Sequence, residues 1–157
     1  MSADRIVLNP IGVVSSPRVD LTDDHWGTVE STITIDSPEL TEQALMALDT
    51  FSHIEVIYRL HRVPADEIER GARHPRGRTD WPQVGILSQR AKARPNLIGV
   101  TRCRLLMVDG RTLRVRGLDA VNGTPVLDIK PWLAEFGPIG EVVQPAWSHE
   151  VMRDYFK

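Results

Sequence analysis

Two segments of the chain set turn-forming residues beside charged ones, a combination that can hold ionic groups in fixed positions. The first, residues 85–99, carries Arg-Pro-Asn after several cations. The second, residues 117–131, carries Asn-Gly-Thr-Pro between Asp119 and Asp128. Because Pro, Asn and Gly restrict the backbone to tight turns, such segments suit the recognition of a small polar ligand. We predict that both segments contribute to one site.

Several common chemistries find no support in the residue pattern. No two glycines lie two positions apart, so the Gly-x-Gly-x-x-Gly turn of dinucleotide-binding domains is missing, and no phosphate-binding Gly-x-x-x-x-Gly-Lys motif occurs. The five histidines form no His-Glu-x-x-His pair, and a single cysteine cannot build a thiolate cluster. We therefore expect no metal site. No Gly-x-Ser-x-Gly elbow is present, so nucleophilic hydrolysis is not favoured.

The net charge of −2 conceals a basic middle of the chain. Between Arg59 and Arg116, fourteen Lys and Arg stand against five Asp and Glu, a local charge of +9. Nearly all of these cations are arginines, which suit bidentate contact with phosphate. Arg73, Arg76 and Arg78 are the predicted RNA contacts. Alternatively, the arginines form a solvated face or pair with the acidic flanks at an oligomer interface.

The elements that must position these residues are mostly strands. Alternation of apolar and polar residues, as in Val29–Ile35, indicates half-buried strands. A helix is predicted to open at Ser37-Pro38-Glu39 and to end near Asp49, and Ser148 is predicted to cap a final helix. The predicted strands cover residues 6–8, 11–14, 29–35, 54–60, 84–89, 98–108, 112–118 and 126–129.

These elements predict a mainly β fold, a small closed or nearly closed β-barrel with two short helices and a long basic loop at residues 64–82. A length of 157 residues predicts a single domain spanning 1–157. No apolar stretch approaches the roughly 20 residues needed to span a bilayer. Residues 1–5 do not start a basic region followed by an apolar run. We expect a cytoplasmic protein with no membrane partner.

Three separated motifs resemble the TsaA-like, or TrmO-like, family. They are Phe-Ser-His-Ile-Glu-Val-Ile at 51–57 with His61-Arg62, the run 85–99 and the run 117–131. The family comprises small β-barrel methyltransferases that use S-adenosylmethionine, and its best-characterised members methylate threonylcarbamoyladenosine in the tRNA anticodon loop. The resemblance runs from about Ile11 to about Trp132.

The chain departs from the usual family loop, which reads roughly G-[VI]-F-A-T-R-S-P-x-R-P-N-P-I-G. The replaced positions are Leu87, Ser88, Gln89, Ala91, Lys92 and Leu97. Longer members carry an extra C-terminal domain thought to help hold tRNA, and this chain is expected to lack one. The resemblance therefore supports the cofactor more strongly than the acceptor.

Carried over by motif, the resemblance implies a set of cofactor contacts. Asp119 and Asp128 can offer oxygen to the sulfonium and ammonium groups, and Arg90 and Arg62 can bind the carboxylate. Alternatively, Arg90 and Asp119 form an ordinary salt bridge at the barrel rim. The implied contacts are Trp26, Gly27, Thr28, His61, Arg62, Arg90, Val100, Arg116, Gly117, Leu118 and Asp119.

The same segments contain candidates for catalysis of methyl transfer. If the acceptor is an exocyclic nitrogen, Asp128 or His61 can take the proton that leaves. Asn96 and Arg94 are predicted to hold polar groups of the acceptor. Alternatively, Arg94-Pro95-Asn96 is only a turn that enters a strand, and Asp128 forms a cross-strand ion pair with Lys130.

The resemblance implies a methyltransferase that binds S-adenosylmethionine, modifies tRNA and forms a homodimer. The alternatives are an enzyme of the same fold acting on a small molecule, and a non-catalytic module that senses S-adenosylmethionine or binds RNA.

Overall fold

Six antiparallel strands close into a barrel in the computed structural model, which describes residues 4–157. The strands are β1 Gly12–Ser15, β2 Glu30–Ile35, β3 His53–Arg59, β6 Ile98–Asp109, β7 Thr112–Arg116 and β8 Pro125–Pro131. Around the barrel their order is β1-β2-β7-β6-β3-β8, and β8 pairs with β1 to close it. Full closure leaves no unpaired sheet edge, which stabilises an antiparallel sheet.

Alternate residues of these strands fill the barrel interior. Ile33 of β2, Ile54 of β3 and Leu113 of β7 are fully buried, whereas their sequence neighbours face outward. Burying one such aliphatic side chain contributes about 2 kcal/mol. The period-two pattern of the sequence therefore selects both the strands and the face that packs inside.

Smaller elements lie outside the barrel. A two-stranded sheet joins β4 Ala72–Arg73 to β5 Val84–Gly85, and the only α-helix among the described residues is α1 Ala146–Met152. Short 3-10 turns cover Glu42–Leu45, Leu48–Thr50, Ala65–Glu67, Pro75–Gly77, Ile86–Ser88, Pro95–Leu97 and Ala134–Phe136.

The prediction of a mainly β closed barrel with two short helical segments is confirmed. The first segment differs in detail, since Glu42–Thr50 forms 3-10 turns interrupted at Ala47, whose φ is 66°. Arg111 explains why no α-helix begins at Ser37. Its guanidinium donates to the carbonyls of Ile35, Ser37 and Leu40 at 2.8, 2.6 and 2.5 Å, so these residues stay in a turn.

Three local predictions were wrong. Residues 6–8 are exposed and form no strand. The strand at 84–89 ends at Gly85, because the Gln89 amide turns back and donates to the Val84 carbonyl at 3.0 Å. Ser148 lies inside α1 rather than capping it, and its hydroxyl donates to the carbonyl of Pro145, the residue that precedes the helix.

In the part of the chain that the structure describes, no helix is long and apolar enough to cross a membrane. Residues 1–3, which entered the prediction of localisation, lie outside the described range. The cytoplasmic location and the single domain over 1–157 stay predictions.

Candidate functional site

A cleft of about 960 Å³ opens at one end of the barrel. Its floor is formed by Tyr58 of β3, Thr101 of β6 and Asp119, which follows β7. Its sides come from the connections after β1, β3 and β5 and from the C-terminal segment 146–157. A cleft of this volume is large enough for a cofactor-sized ligand.

Asp119 is held by hydroxyl groups from three separate parts of the chain. Its Oδ1 accepts hydrogen bonds from Tyr58 Oη, at 2.8 Å, and from Thr101 Oγ1. Its Oδ2 accepts from Tyr155 Oη at 2.5 Å. Burial, followed by the nearby Asp119 charge, raises the pKa of both tyrosines above its usual value, so they remain protonated donors. The cluster places a carboxylate at the cleft in a fixed orientation.

The C-terminal segment forms one wall of the cleft and is docked by backbone hydrogen bonds. The His25 N–H donates to the carbonyl of Asp154 at 2.9 Å, and the Trp26 N–H donates to the carbonyl of Tyr155 at 2.8 Å. Trp81 Nε1 donates to Glu150 at 2.7 Å and fixes α1 to the basic loop. The segment contributes mainly apolar side chains to the cleft, namely Trp147, Val151, Met152, Tyr155 and Phe156.

The cleft also carries an excess of cations. Arg90 Nη2 donates to the carbonyl of Val100 at 2.8 Å, and Arg94 Nη1 donates to the carbonyl of Gln89 at 2.6 Å. These bonds orient both guanidinium groups. They leave the positive charge of each group unneutralised, because a carbonyl carries no net charge. Its acidic lining residues are Asp23, Glu55 and Asp119, whereas its basic ones are Arg62, Arg73, Arg76, Arg90, Lys92, Arg94 and Arg102.

His61 lies beside the cleft in a state suited to accept a proton. Partial burial, followed by the charges of Arg62 and Arg59, lowers the pKa of its imidazole below 6.5. The ring is therefore neutral at neutral pH, and a neutral imidazole has a free nitrogen lone pair.

The structure brings six of the eleven predicted cofactor contacts together at the cleft. The cleft is lined by Trp26, His61, Arg62, Arg90, Val100 and Asp119, and by the predicted acceptor contact Arg94. The other predicted contacts are not among its lining residues, and they are Gly27, Thr28, Asn96, Arg116, Gly117, Leu118 and Asp128.

Most of the residues outside the cleft have an evident structural role. Gly27 admits the carbonyl of Phe156, which lies 1.8 Å from the ideal position of a Cβ at this residue. Leu118 is a fully buried core residue, and Arg116 forms an ion pair with Glu30 at 2.7 Å. Asp128 forms an ion pair with Lys130 of the same strand at 3.1 Å.

Arg90 and Asp119 both line the cleft and do not form the rim salt bridge considered as an alternative.

Asn96 and Leu97 adopt left-handed backbone conformations with φ of 64° and 52°. For a bulky leucine this conformation is unusual, so the turn that leads into β6 is a strained one. Asn tolerates it better, because its short polar side chain bonds locally.

Two of the three arginines predicted to contact RNA are engaged within the protein. Arg76 forms an ion pair with Asp24 at 2.8 Å. Arg78 pairs with Asp80 and stacks 3.9 Å over the ring of Trp81. Contact of this loop with RNA stays a prediction.

Across residues 4–157, no group of three or more His, Cys, Asp or Glu is arranged to hold a metal ion.

The residues missed by sequence reasoning are those that surround Asp119. Tyr58 lies on the buried face of β3 with the core residues Ile54 and Val56, but this alternation does not indicate a partner for its hydroxyl. Tyr155 lies 36 residues from Asp119, and no local pattern connects the two.

Fold and site together define a small β-barrel protein with a cation-rich cleft at the barrel mouth, floored by a fixed carboxylate. Residues 22–137 match the family described as tRNA-methyltransferase O N-terminal domain. The chain belongs to this family, as the motifs around Arg90 and Asp119 indicated.

Curated relatives fall into two groups by name. A protein of Methanothermobacter thermautotrophicus, named a probable S-adenosyl-L-methionine-binding protein, is 40% identical over 147 residues, which cover 89% of this chain and 99% of the relative. The human tRNA (adenine(37)-N6)-methyltransferase is 36% identical over 104 residues, covering 66% of this chain and 23% of the human protein. This chain thus corresponds to the whole of the first relative and to a small part of the second.

A solved structure has the same fold. The crystal structure of TrmO from P. aeruginosa superimposes with a TM-score of 0.75 at 23% sequence identity, over 93% of this chain and 63% of that chain. The barrel arrangement is therefore that of TrmO.

Proposed function

We propose that the protein is an S-adenosylmethionine-dependent methyltransferase that modifies an adenosine of tRNA, with threonylcarbamoyladenosine of the anticodon loop as the acceptor. The observation that carries the proposal is the cleft that a fixed carboxylate, Asp119, lines together with several arginines. The names of the archaeal and human relatives support the cofactor and the acceptor, respectively.

The residues of the cleft fit this cofactor. Asp119 offers carboxylate oxygen to a cationic ligand, the arginines offer donors to a carboxylate, and Trp26, Val121 and Phe156 offer apolar surface to a base. When bound, S-adenosylmethionine supplies a methyl group activated by a sulfonium. The three hydroxyl donors of Tyr58, Thr101 and Tyr155 keep Asp119 oriented, so no reorganisation is needed when a ligand binds.

The chain's own residues also supply means to handle the acceptor. Neutral His61 is the proposed base for the proton that leaves an exocyclic amine, because it lines the cleft and its pKa is lowered. Arg94, held by the Gln89 carbonyl, is the proposed contact for polar groups of the acceptor. The apolar wall of the C-terminal segment is the proposed barrier to water at the cleft.

Labelled methyl transfer tests the proposal directly. The protein is incubated with methyl-labelled S-adenosylmethionine and either total RNA or a metabolite extract from the same cells. We expect label in tRNA, released on nuclease digestion as a methylated adenosine derivative. Unmodified tRNA transcripts, which lack threonylcarbamoyl groups, serve as the matched control and should remain unlabelled. Label in the metabolite fraction alone would replace the tRNA assignment with a small-molecule acceptor.

A binding protein without methyltransferase activity is the second candidate. The relative from Methanothermobacter thermautotrophicus, which this chain matches over 99% of the relative's length, is named only for binding S-adenosylmethionine. Calorimetric binding of the cofactor at micromolar strength, about −8 kcal/mol, without label in either fraction would favour this candidate.

We also propose a homodimer, supported by apolar side chains of the segment that follows β8. Phe136, Ile139 and Val143 are 78%, 99% and 84% exposed. Exposed apolar residues grouped in one segment are typical of an interaction surface. Light scattering should give twice the mass of the chain, and replacing all three residues by Ser should give the monomer mass. A monomeric wild-type protein would contradict the dimer.

A further inference from the structure

Arg73, the last residue of β4, has an unusual environment for a cleft arginine. It lines the cleft, yet its Nε is buried and has no hydrogen-bond partner within residues 4–157. A buried donor without an acceptor is costly, and native proteins rarely leave one unpaired. The Nε of Arg73 therefore has no acceptor among the described residues, and a bound ligand can provide one.

The backbone of Arg73 is fixed in place. β4 pairs with β5, and the Arg73 residue lies opposite Val84. The side-chain amide of Gln89, which is buried, donates to the carbonyls of Arg73 and Val84, both at 3.0 Å. The position of Arg73 is thus set by the fold rather than by a mobile loop.

Arg73 also differs from the neighbouring arginines of the basic loop. Arg76 and Arg78 form ion pairs with Asp24 and Asp80, whereas Arg73 has no carboxylate within 4.0 Å in the described chain. Its charge is therefore available to an anion that enters the cleft.

A continuous chain of contacts connects Arg73 to Asp119 across the cleft wall. The Gln89 side chain donates to the Arg73 carbonyl, and the next residue in the sequence, Arg90, donates to the Val100 carbonyl. Thr101, which follows Val100, donates to Asp119. Asp119 itself accepts only from hydroxyl groups and has no cationic partner among the residues described. The cleft therefore offers an unneutralised carboxylate, Asp119, and an unneutralised guanidinium, Arg73, which together complement the two charges of a zwitterion.

We propose that Arg73 binds the carboxylate of the amino-acid end of S-adenosylmethionine, an inference that rests on the proposed function. Because the Nε is covered in the present conformation, the guanidinium turns toward the carboxylate as the ligand enters. The partly buried position favours a small ligand, since the phosphates of a folded RNA contact exposed side chains more readily.

The test pairs a change in the protein with a change in the ligand. Arg73→Gln removes the charge, and an S-adenosylmethionine analogue without the carboxyl group removes the proposed partner. Calorimetry measures both ligands on both proteins, with circular dichroism as the check of folding. Arg70→Gln, an exposed arginine of the same loop that does not line the cleft, is the matched control. Arg73→Lys, which keeps the charge, provides a second variant.

We expect Arg73→Gln to bind S-adenosylmethionine roughly 10- to 100-fold more weakly, the range for loss of a charge-assisted hydrogen bond. Its affinity for the analogue should equal that of the wild type, and Arg73→Lys should recover part of the loss. Equal weakening toward both ligands would overturn the inference, because Arg73 would then only support the cleft. Weakened tRNA binding with unchanged cofactor affinity would overturn it in favour of a phosphate contact. A wild-type protein without affinity for S-adenosylmethionine would overturn the proposed function as well.

Discussion

Asp119→Ala is expected to destabilise the protein by about 3 kcal/mol and to weaken S-adenosylmethionine binding by about 100-fold or more. The substitution removes the acceptor shared by Tyr58, Thr101 and Tyr155, and a partly buried hydroxyl without an acceptor costs about 1–3 kcal/mol. It also removes the only acidic group on the cleft floor. Calorimetric unfolding and ligand titration measure the two effects.

Asp119→Asn separates the charge from the hydrogen bonds. The amide keeps an acceptor oxygen, so we expect a smaller loss of stability than in Asp119→Ala, with a similar loss of cofactor affinity. Asp109→Asn, at the exposed end of β6, is the matched control and should change neither quantity. Full cofactor affinity in Asp119→Asn would show that the carboxylate charge has no part in binding.

The barrel strands could be predicted from the sequence because their information is local. In β2, β3 and β7 a buried residue alternates with an outward one, and the period of two defines the strand without knowledge of its neighbours. The tight connection at Asp109-Gly110, a common hairpin turn pair, is local in the same way, and it joins β6 to β7.

The failed predictions depend on contacts between distant segments. The residues after β2 have a helical pattern, but Arg111, more than 70 positions later, binds their carbonyls and keeps them in turns. Likewise, β5 ends early because the side-chain amide of Gln89 donates to the carbonyls of both Val84 and Arg73. Neither contact follows from propensity or spacing, because tertiary partners override local preference.

In the candidate site as well, residues within sequence motifs could be predicted, whereas residues brought in from distant segments could not. Arg90, Arg94 and Asp119 were found because they lie in motifs that the family shares. Their surroundings were not found, because the C-terminal segment that supplies Tyr155 lies outside the matched range of residues 22–137. One wall of the cleft is thus specified by residues that carry no motif.

Gly27→Ala is expected to undock this C-terminal segment, because an added Cβ would lie 1.8 Å from the Phe156 carbonyl oxygen. Backbone cannot yield as a flexible side chain does, so the hydrogen bonds from His25 and Trp26 to the segment should break. We expect a loss of about 3 kcal/mol, which lowers Tm by roughly 6–12 °C in a domain of this size.

Gly85→Ala provides the control for this substitution, since a Cβ at Gly85 meets no atom within 4 Å and its φ of −58° suits alanine. Limited proteolysis should cut Gly27→Ala within residues 146–157 while Gly85→Ala resists, and only the former should lose cofactor affinity. The reason is that an undocked segment withdraws Tyr155 from Asp119 and opens the apolar wall of the cleft. If Gly27→Ala kept the wild-type Tm and protease resistance, the segment would not be docked against residues 25–27. Asp119 would then be held by Tyr58 and Thr101 alone.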